Sequence, residues 1–404
     1  MVKIIEKSRA EGRISAPTSK SIAHRLLIPA AMARGEKSLI RGITPSEDVL
    51  ATIDCLRSLG VKIEYVGECA VVWGIDFSLA CATERLYCRE SGSTLRFLIP
   101  LCLISGNEIV LSGSEKLISR PQSVYEKIAK ENGFLFEKNS DSIRLCGRLK
   151  CGEYSVRGDV SSQFISGLIF ALSTLPGESR IILTEKIESR SYIDLTIDAL
   201  KQFGASLDWE GENTIRIDGG RKLSSVDMTV EGDWSGAAFL EALNRLGSKI
   251  TIDGMNDQSK QGDRVCKEYF DALSEGYCEI DIEDCPDLGP ILFAFSAAKY
   301  GGKFTSTKRL RIKESDRVEA MRQELSKFGI EMEVEENSVT VPKGEICTPK
   351  EILQGHNDHR IVMSLAVLCS LVGGQIEGCE AVKKSYPSFF FDLSKLGVKN
   401  YDTE

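Results

Sequence analysis

The chain has 404 residues, with 51 Lys and Arg against 59 Asp and Glu and a formal net charge of −8. It lacks the basic field that recruits nucleic acid or anionic lipid, so any anionic ligand must be held by a local cluster of cations. With 42% hydrophobic and 27% charged residues it is globular rather than disordered, and it exceeds the roughly 250–300 residues at which one core stops growing, so two domains are expected.

The start, Met1-Val2-Lys3-Ile4-Ile5-Glu6-Lys7, meets charged residues before any signal-like apolar core. No later stretch approaches the roughly 20 apolar residues of a membrane span, and a cytoplasmic protein is expected. In Ala16-Pro17-Thr18-Ser19-Lys20-Ser21-Ile22-Ala23-His24-Arg25, Pro17 breaks a strand and helical periodicity begins at Ile22. Lys20 and Arg25 therefore fall at or near a helix N-terminus, where anions are already favoured, with Ser19 or Ser21 as the cap. A Walker-type phosphate loop is excluded, because Ser19 stands where its second glycine would be.

Further along, Arg89-Glu90-Ser91-Gly92-Ser93-Thr94 precedes an apolar helix, and the small residues around Gly92 allow close approach to the backbone. Arg120, in Ser119-Arg120-Pro121, is a cation on a stiff loop. Ser161-Ser162-Gln163-Phe164 opens another apolar helix, and Ser189-Arg190-Ser191-Tyr192 supplies hydroxyls that hydrogen-bond a phosphate without added charge, or simply cap helices. In Lys313-Glu314-Ser315-Asp316-Arg317, Lys313 and Arg317 are four apart and share one face if the segment is helical, with Glu314 beside them as a proton carrier. Asn357-Asp358-His359-Arg360 puts Arg360 at the start of a long apolar helix, and Lys383-Lys384-Ser385-Tyr386-Pro387 is a basic loop before the last helix.

A repeat runs through these segments: an amphipathic helix ending in Leu or Phe, a glycine a few residues on, then a strand and often a hairpin. The clearest copies are Leu200 to Gly204 and Leu325 to Gly329; weaker ones run from Leu56 to Gly60, Ile128 to Gly133, Phe270 to Gly276 and Leu393 to Gly397. These are roughly six copies at a period of about 70 residues, read as three α/β units in each of two domains. The glycines suit the left-handed position that ends a helix. The 13 Cys are odd in number and form no Cys-x-x-Cys, and the 3 His include one His-x-x-His pair without a nearby third ligand. Buried thiols, no metal and no cofactor are expected.

In this order and spacing the segments resemble the enolpyruvyl transferase family, and within it the members that act on shikimate 3-phosphate. The likeness covers nearly the whole chain and includes Val230-Glu231-Gly232-Asp233 and Pro286-Asp287. It implies an inside-out α/β barrel in each of two domains, 1–17 plus 231–404 and an inserted 18–230, with the active site in the cleft between them. It also implies transfer of the enolpyruvyl group of phosphoenolpyruvate to the 5-hydroxyl of shikimate 3-phosphate by a monomer that needs no metal or cofactor.

By position, Lys20, Ser21, Arg25, Ser161, Ser162, Gln163, Ser189, Tyr192, Asp287 and Lys313 match residues that contact shikimate 3-phosphate. Lys20, Gly92, Arg120, Gln163, Arg317, Arg360 and Lys384 match contacts for phosphoenolpyruvate. Asp287 resembles the base for the 5-hydroxyl and Glu314 the group that protonates the methylene carbon, with Lys20 catalytic at the shared centre. Thr18, His24, Glu90 and Arg309 depart from the family pattern without removing a charge that the reaction needs. The sister enzymes that act on UDP-N-acetylglucosamine carry a reactive Cys on a loop before an Arg-Pro pair; here that loop, Leu111 to Lys116, has none. A non-catalytic binder of phosphorylated metabolites would not need Asp287 and Glu314.

Overall fold

The computed structural model describes residues 1–82 and 84–403. Its internal contacts divide the chain into two compact units, Lys20–Glu231 and the remainder, Met1–Ser19 with Gly232–Glu404. Each unit has its own hydrophobic core.

One motif builds both units. In its complete form, strands Glu153–Arg157 and Gly177–Thr184 pair in parallel, and helix Ser162–Thr174 makes the crossover that a parallel pair requires. Helix Arg190–Gln202 follows, and hairpin Ser206–Glu210 with Thr214–Gly219 completes the sheet antiparallel to Gly177–Thr184. The same unit carries a second sheet of identical order, Leu86–Tyr87, Ile109–Ser112, Ser142–Cys146 and Leu135–Lys138. A third has Asp227–Thr229 beside Lys37–Arg41, so its first strand comes from the far end of the unit.

In the other unit, Glu279–Asp281, Gly302–Thr305, Ser338–Val341 and Glu333–Val334 repeat the order. The sheet containing Leu353–Gln354 and Gly374–Glu377 borrows its hairpin strand from the N-terminus, Val2–Ile5, which pairs with Asn400–Asp402. The remaining pair, Glu11–Ser15 with Lys249–Asp253, has no hairpin.

Burial places the helices inside and the sheets outside. The crossover helices Ser162–Thr174, Gly289–Ala297 and His359–Val372 are buried on almost every side, as helices apolar all round must be. Strands such as Glu153–Arg157 alternate exposed and buried residues, with one face on the core and one in water. Each unit is thus an inside-out α/β barrel of three motifs.

The six helix-to-glycine copies mark the ends of the helices that follow the crossovers, with one correction. Gly60, Gly133, Gly204, Gly329 and Gly397 have φ between 69° and 95°, whereas Gly276 is extended at φ 172°. No hairpin follows it: Glu279–Asp281 opens the next motif, so the chain leaves that helix directly into a parallel strand. Among the described residues no helix is long and apolar enough to cross a membrane, and all 13 Cys are free thiols.

Candidate active site

Most candidate residues lie at or just before the N-terminal end of a helix in this motif, or in its first turns, where unpaired backbone N–H groups and the helix dipole favour negative charge; Arg120 instead follows helix Glu115–Ser119, and Lys384 ends the short turn Cys379–Lys384. In the unit Lys20–Glu231, helix Lys20–Met32 begins at Lys20, whose Nζ is 2.8 Å from Asp48 Oδ2. Neither expected cap is in place: Ser21 lies within the helix, and the Ser19 hydroxyl is buried without a hydrogen bond.

Arg25, one turn on, is only 3% exposed. It donates to the Ser21 carbonyl and the Thr196 hydroxyl at 2.8 Å and to the Ser166 hydroxyl at 3.4 Å, and lies over the rings of Phe97 and Tyr192. These partners are neutral, so burial, opposed weakly by Tyr192, lowers its pKa to about 10. It remains a cation at neutral pH, buried without a carboxylate bonded to it among the described residues.

Ser91 caps helix Gly92–Cys102. A Cβ on Gly92 would stand 3.1 Å from an Arg120 guanidinium nitrogen and 3.5 Å from Gln163 Oε1, so Gly92, Arg120 and Gln163 share one small space. Gln163 accepts from Arg96 at 2.9 Å and donates to Ser93 at 3.0 Å. Ser161 caps the helix of Ser162 and Gln163 by accepting from the Gln163 N–H. Ser189, at φ 55°, precedes helix Arg190–Gln202 without capping it through its side chain, and Tyr192 reaches Arg25 from that helix.

In the other unit, Asp287 sits in the short turn Pro286–Leu288 ahead of helix Gly289–Ala297. Its Oδ1 accepts from Arg317 at 2.9 Å and Lys313 at 3.5 Å, and its Oδ2 from Arg360 at 3.4 Å. Arg317 also donates to Glu314 Oε2 at 2.9 Å and Asp358 Oδ2 at 2.9 Å. Asp358 is fully buried, accepts from Ser315 and the Arg360 N–H, and so caps helix His359–Val372.

Arg360 donates to the Ser235 carbonyl at 2.8 Å and its hydroxyl at 2.6 Å, and Ser235 leans on Asp233, the cap of helix Trp234–Arg245. Lys384 donates to the Asn357 carbonyl at 2.6 Å. Burial would weaken the charge on Arg317, but Asp358, Glu314 and Asp287 outweigh it and raise its pKa. Against the same penalty, Arg317 draws the Asp358 carboxyl below its ordinary range. The balance at Lys313 goes to burial, which Arg309 reinforces and Asp287 opposes, and its ammonium falls below its usual value.

One local expectation is corrected. Lys313 and Arg317 do not share a helical face, because Asp316 caps the helix at the Glu319 N–H and helix Arg317–Lys327 begins only at Arg317. Lys313 belongs to the preceding loop and still reaches Asp287. Asp48, Arg96, Thr196, Asp358 and Ser235 also belong to these clusters, although no pattern in the sequence gives them a role there. Asp48, Thr196, Asp358 and Ser235 are polar residues at a helix start or on a neighbouring helix face and matter through the cation each touches, whereas Arg96 is itself a cation and holds Gln163. Among the described residues no group of three His, Cys, Asp or Glu is arranged to hold a metal ion.

Residues 4–393 match the family model described as EPSP synthase, 3-phosphoshikimate 1-carboxyvinyltransferase. A 3-phosphoshikimate 1-carboxyvinyltransferase of Clostridium kluyveri is 40% identical over 420 residues, covering 97% of this chain and 96% of that protein. One of Clostridium novyi is 37% identical over 98% of this chain and 97% of its own length. An EPSP synthase structure from Acinetobacter baumannii superposes with a TM-score of 0.81 at 23% identity, covering 100% of this chain and 99% of that one, which establishes the shared fold. On the family match and these relatives, the chain belongs to the EPSP synthase (3-phosphoshikimate 1-carboxyvinyltransferase) family.

Proposed function

We propose that the chain transfers the enolpyruvyl group of phosphoenolpyruvate to the 5-hydroxyl of shikimate 3-phosphate, releasing phosphate, in the shikimate pathway step before chorismate. Family membership carries the activity. The observation that supports the residue roles is the junction at Arg317, where two carboxylates, Asp287 and Glu314, meet one buried guanidinium, each at 2.9 Å.

The reaction needs an acid and a base. Glu314 delivers a proton to the methylene carbon of phosphoenolpyruvate, which leaves C2 electron-poor. Asp287 takes the proton of the 5-hydroxyl as its oxygen attacks C2, giving a tetrahedral intermediate. Loss of phosphate and of the methyl proton from that intermediate restores the double bond. An anion that engages Arg317 releases the oxygens of Glu314 and Asp287 from the guanidinium and frees both for this work.

Shikimate 3-phosphate is assigned to Lys20, Ser21, Arg25, Ser161, Ser162, Gln163, Ser189, Tyr192, Asp287 and Lys313. Phosphoenolpyruvate is assigned to Lys20, Gly92, Arg120, Gln163, Arg317, Arg360 and Lys384. The buried, carboxylate-free Arg25 and the Gly92–Arg120–Gln163 space support these assignments as places where an anion meets positive charge and an open backbone. Positioning two charged reactants accounts for a large part of such catalysis.

The domains are proposed to run over 1–17 plus 231–404 and 18–230, in a cytoplasmic monomer; free thiols throughout agree with a reducing compartment. The deciding experiment is phosphate release by the purified protein. It is expected only when phosphoenolpyruvate and shikimate 3-phosphate are both present. Release with UDP-N-acetylglucosamine in place of shikimate 3-phosphate, and none with the shikimate pair, would overturn the reading.

A further inference from the structure

Glu324 is a buried carboxylate that the reaction does not use. It lies seven residues after Arg317 on helix Arg317–Lys327, close to two full turns, and is 1% exposed. It accepts from Lys327 Nζ at 2.9 and 3.1 Å, from the Gln354 N–H at 2.9 Å and from His356 Nε2 at 3.0 Å. Burial opposes its charge, but His356, Lys327 and the Gln354 N–H hold its carboxyl below the ordinary range.

The loop it grips is costly to form. His356 and Asn357 stand in succession at φ 49° and 52°, a conformation uncommon for residues with a Cβ and best tolerated by types such as Asn and His. Gly355 before them is packed too closely for a side chain, since a Cβ there would lie 2.6 Å from Val362 and 2.7 Å from the Glu377 carbonyl. The loop presents three groups to the cation cluster: the Asn357 carbonyl that receives Lys384, the Asp358 carboxylate that pairs with Arg317, and Arg360 at the head of its helix. Helix Arg317–Lys327 therefore holds this loop twice, through Arg317 and Asp358 at its first residue and through Glu324 two turns later.

We infer that Glu324 and His356 are positioning residues: together they lock the Gly355–Asp358 loop in its left-handed turn and so set Lys384 and Arg360 for phosphoenolpyruvate. The inference rests on the assignment of those two cations to that substrate. It concerns one substrate only, which separates it from a general contribution to folding.

The test is steady-state kinetics on the full chain with each substrate varied. Glu324→Gln and His356→Ala should raise KM for phosphoenolpyruvate about tenfold or more, lower kcat by less, and leave KM for shikimate 3-phosphate within about twofold. His356→Gln, whose amide nitrogen is as many bonds from the backbone as His Nε2, should recover most of the lost affinity. His356→Asn suits the left-handed backbone but is too short to reach Glu324, and should not recover it. If Glu324→Gln fails to fold, the more exposed His356 variants carry the test. Phosphoenolpyruvate KM values within about twofold of the parent in His356→Ala, while Lys384→Ala raises that KM, overturn the inference and leave the substrate assignment standing. An unchanged KM in Lys384→Ala overturns both.

Discussion

Arg317 is 1% exposed yet carries full charge, because three carboxylates surround it. Two of them, Asp287 and Glu314, also hold the proposed proton-transfer roles, so their neutral isosteres separate chemistry from binding. Glu314→Gln and Asp287→Asn should each reduce kcat by about 10²–10⁴-fold, the usual worth of a general acid or base, while both substrates still bind in equilibrium titrations. Parental turnover in both variants would remove the roles. His24 gives a prediction of another kind. Burial, then the nearby charges of Lys20 and Arg25, push its imidazole well below the ordinary value. Unfolded His24 takes up a proton near pH 6.5 and the folded residue does not. The unfolded state then binds more protons, so stability falls as pH drops below about 6.5, by up to about 1.4 kcal/mol per pH unit. His24→Asn should flatten the decline in urea-unfolding free energy between pH 6.5 and 5, where most carboxylates are still ionised; a slope equal to the parent's would count against it. Lys20, Arg25 and Arg360 were legible in the sequence as cations at helix starts. Asp48, Asp358 and Ser235 were not, since capping alone explains such residues and only three-dimensional proximity shows which cation each one holds.

The elements repeat the same logic on a larger scale. Helix-to-glycine spacing identified the helix that follows the crossover in all six motifs, because the end of a helix needs a residue free to turn left. The exception is informative: Gly60 and Gly276 both have open space where a Cβ would stand, but Gly60 is at φ 95° and Gly276 is extended. Alanine at Gly60 should destabilise the protein by about 1 kcal/mol or more, whereas alanine at Gly276 should be neutral or stabilise it by about 0.4–1 kcal/mol. Chemical denaturation of the two variants distinguishes these outcomes, and equal losses would show that φ is not what separates the two positions. The four-residue spacing of Lys313 and Arg317 left open whether they share a helical face, for a related reason. Four-residue spacing is satisfied by a helix or by a loop that folds back, and the Asp316 cap, which decides between them, is a local hydrogen bond rather than a periodicity.

At the scale of the whole chain, two hydrophobic cores each stay within one compact unit. Trp73 and Trp209 lie in one unit and Trp234 in the other, so fluorescence can follow each core separately. Phe170→Ala should cost the core of Lys20–Glu231 about 3–5 kcal/mol. In a background with Trp73 and Trp209 replaced by Phe, the Trp234 signal should then keep its parental urea midpoint, while Trp73 and Trp209 in the native background report an earlier transition. Equal shifts in both signals would reject the proposed two-domain division. What the sequence by itself determined was local and periodic: the α/β class, the repeat, the helix starts rich in cations and hydroxyls, and the family resemblance carried by short ordered motifs. Which strand closes each sheet was decided only by the tertiary structure. Val2–Ile5 completes a sheet with Asn400–Asp402, and Asp227–Thr229 completes one with Lys37–Arg41. Periodicity describes neighbours along the chain, whereas these pairings join residues far apart in sequence through backbone hydrogen bonds, and two of the three carboxylates that neutralise the buried charge of Arg317, Asp287 and Asp358, reach it from 30 and 41 residues away.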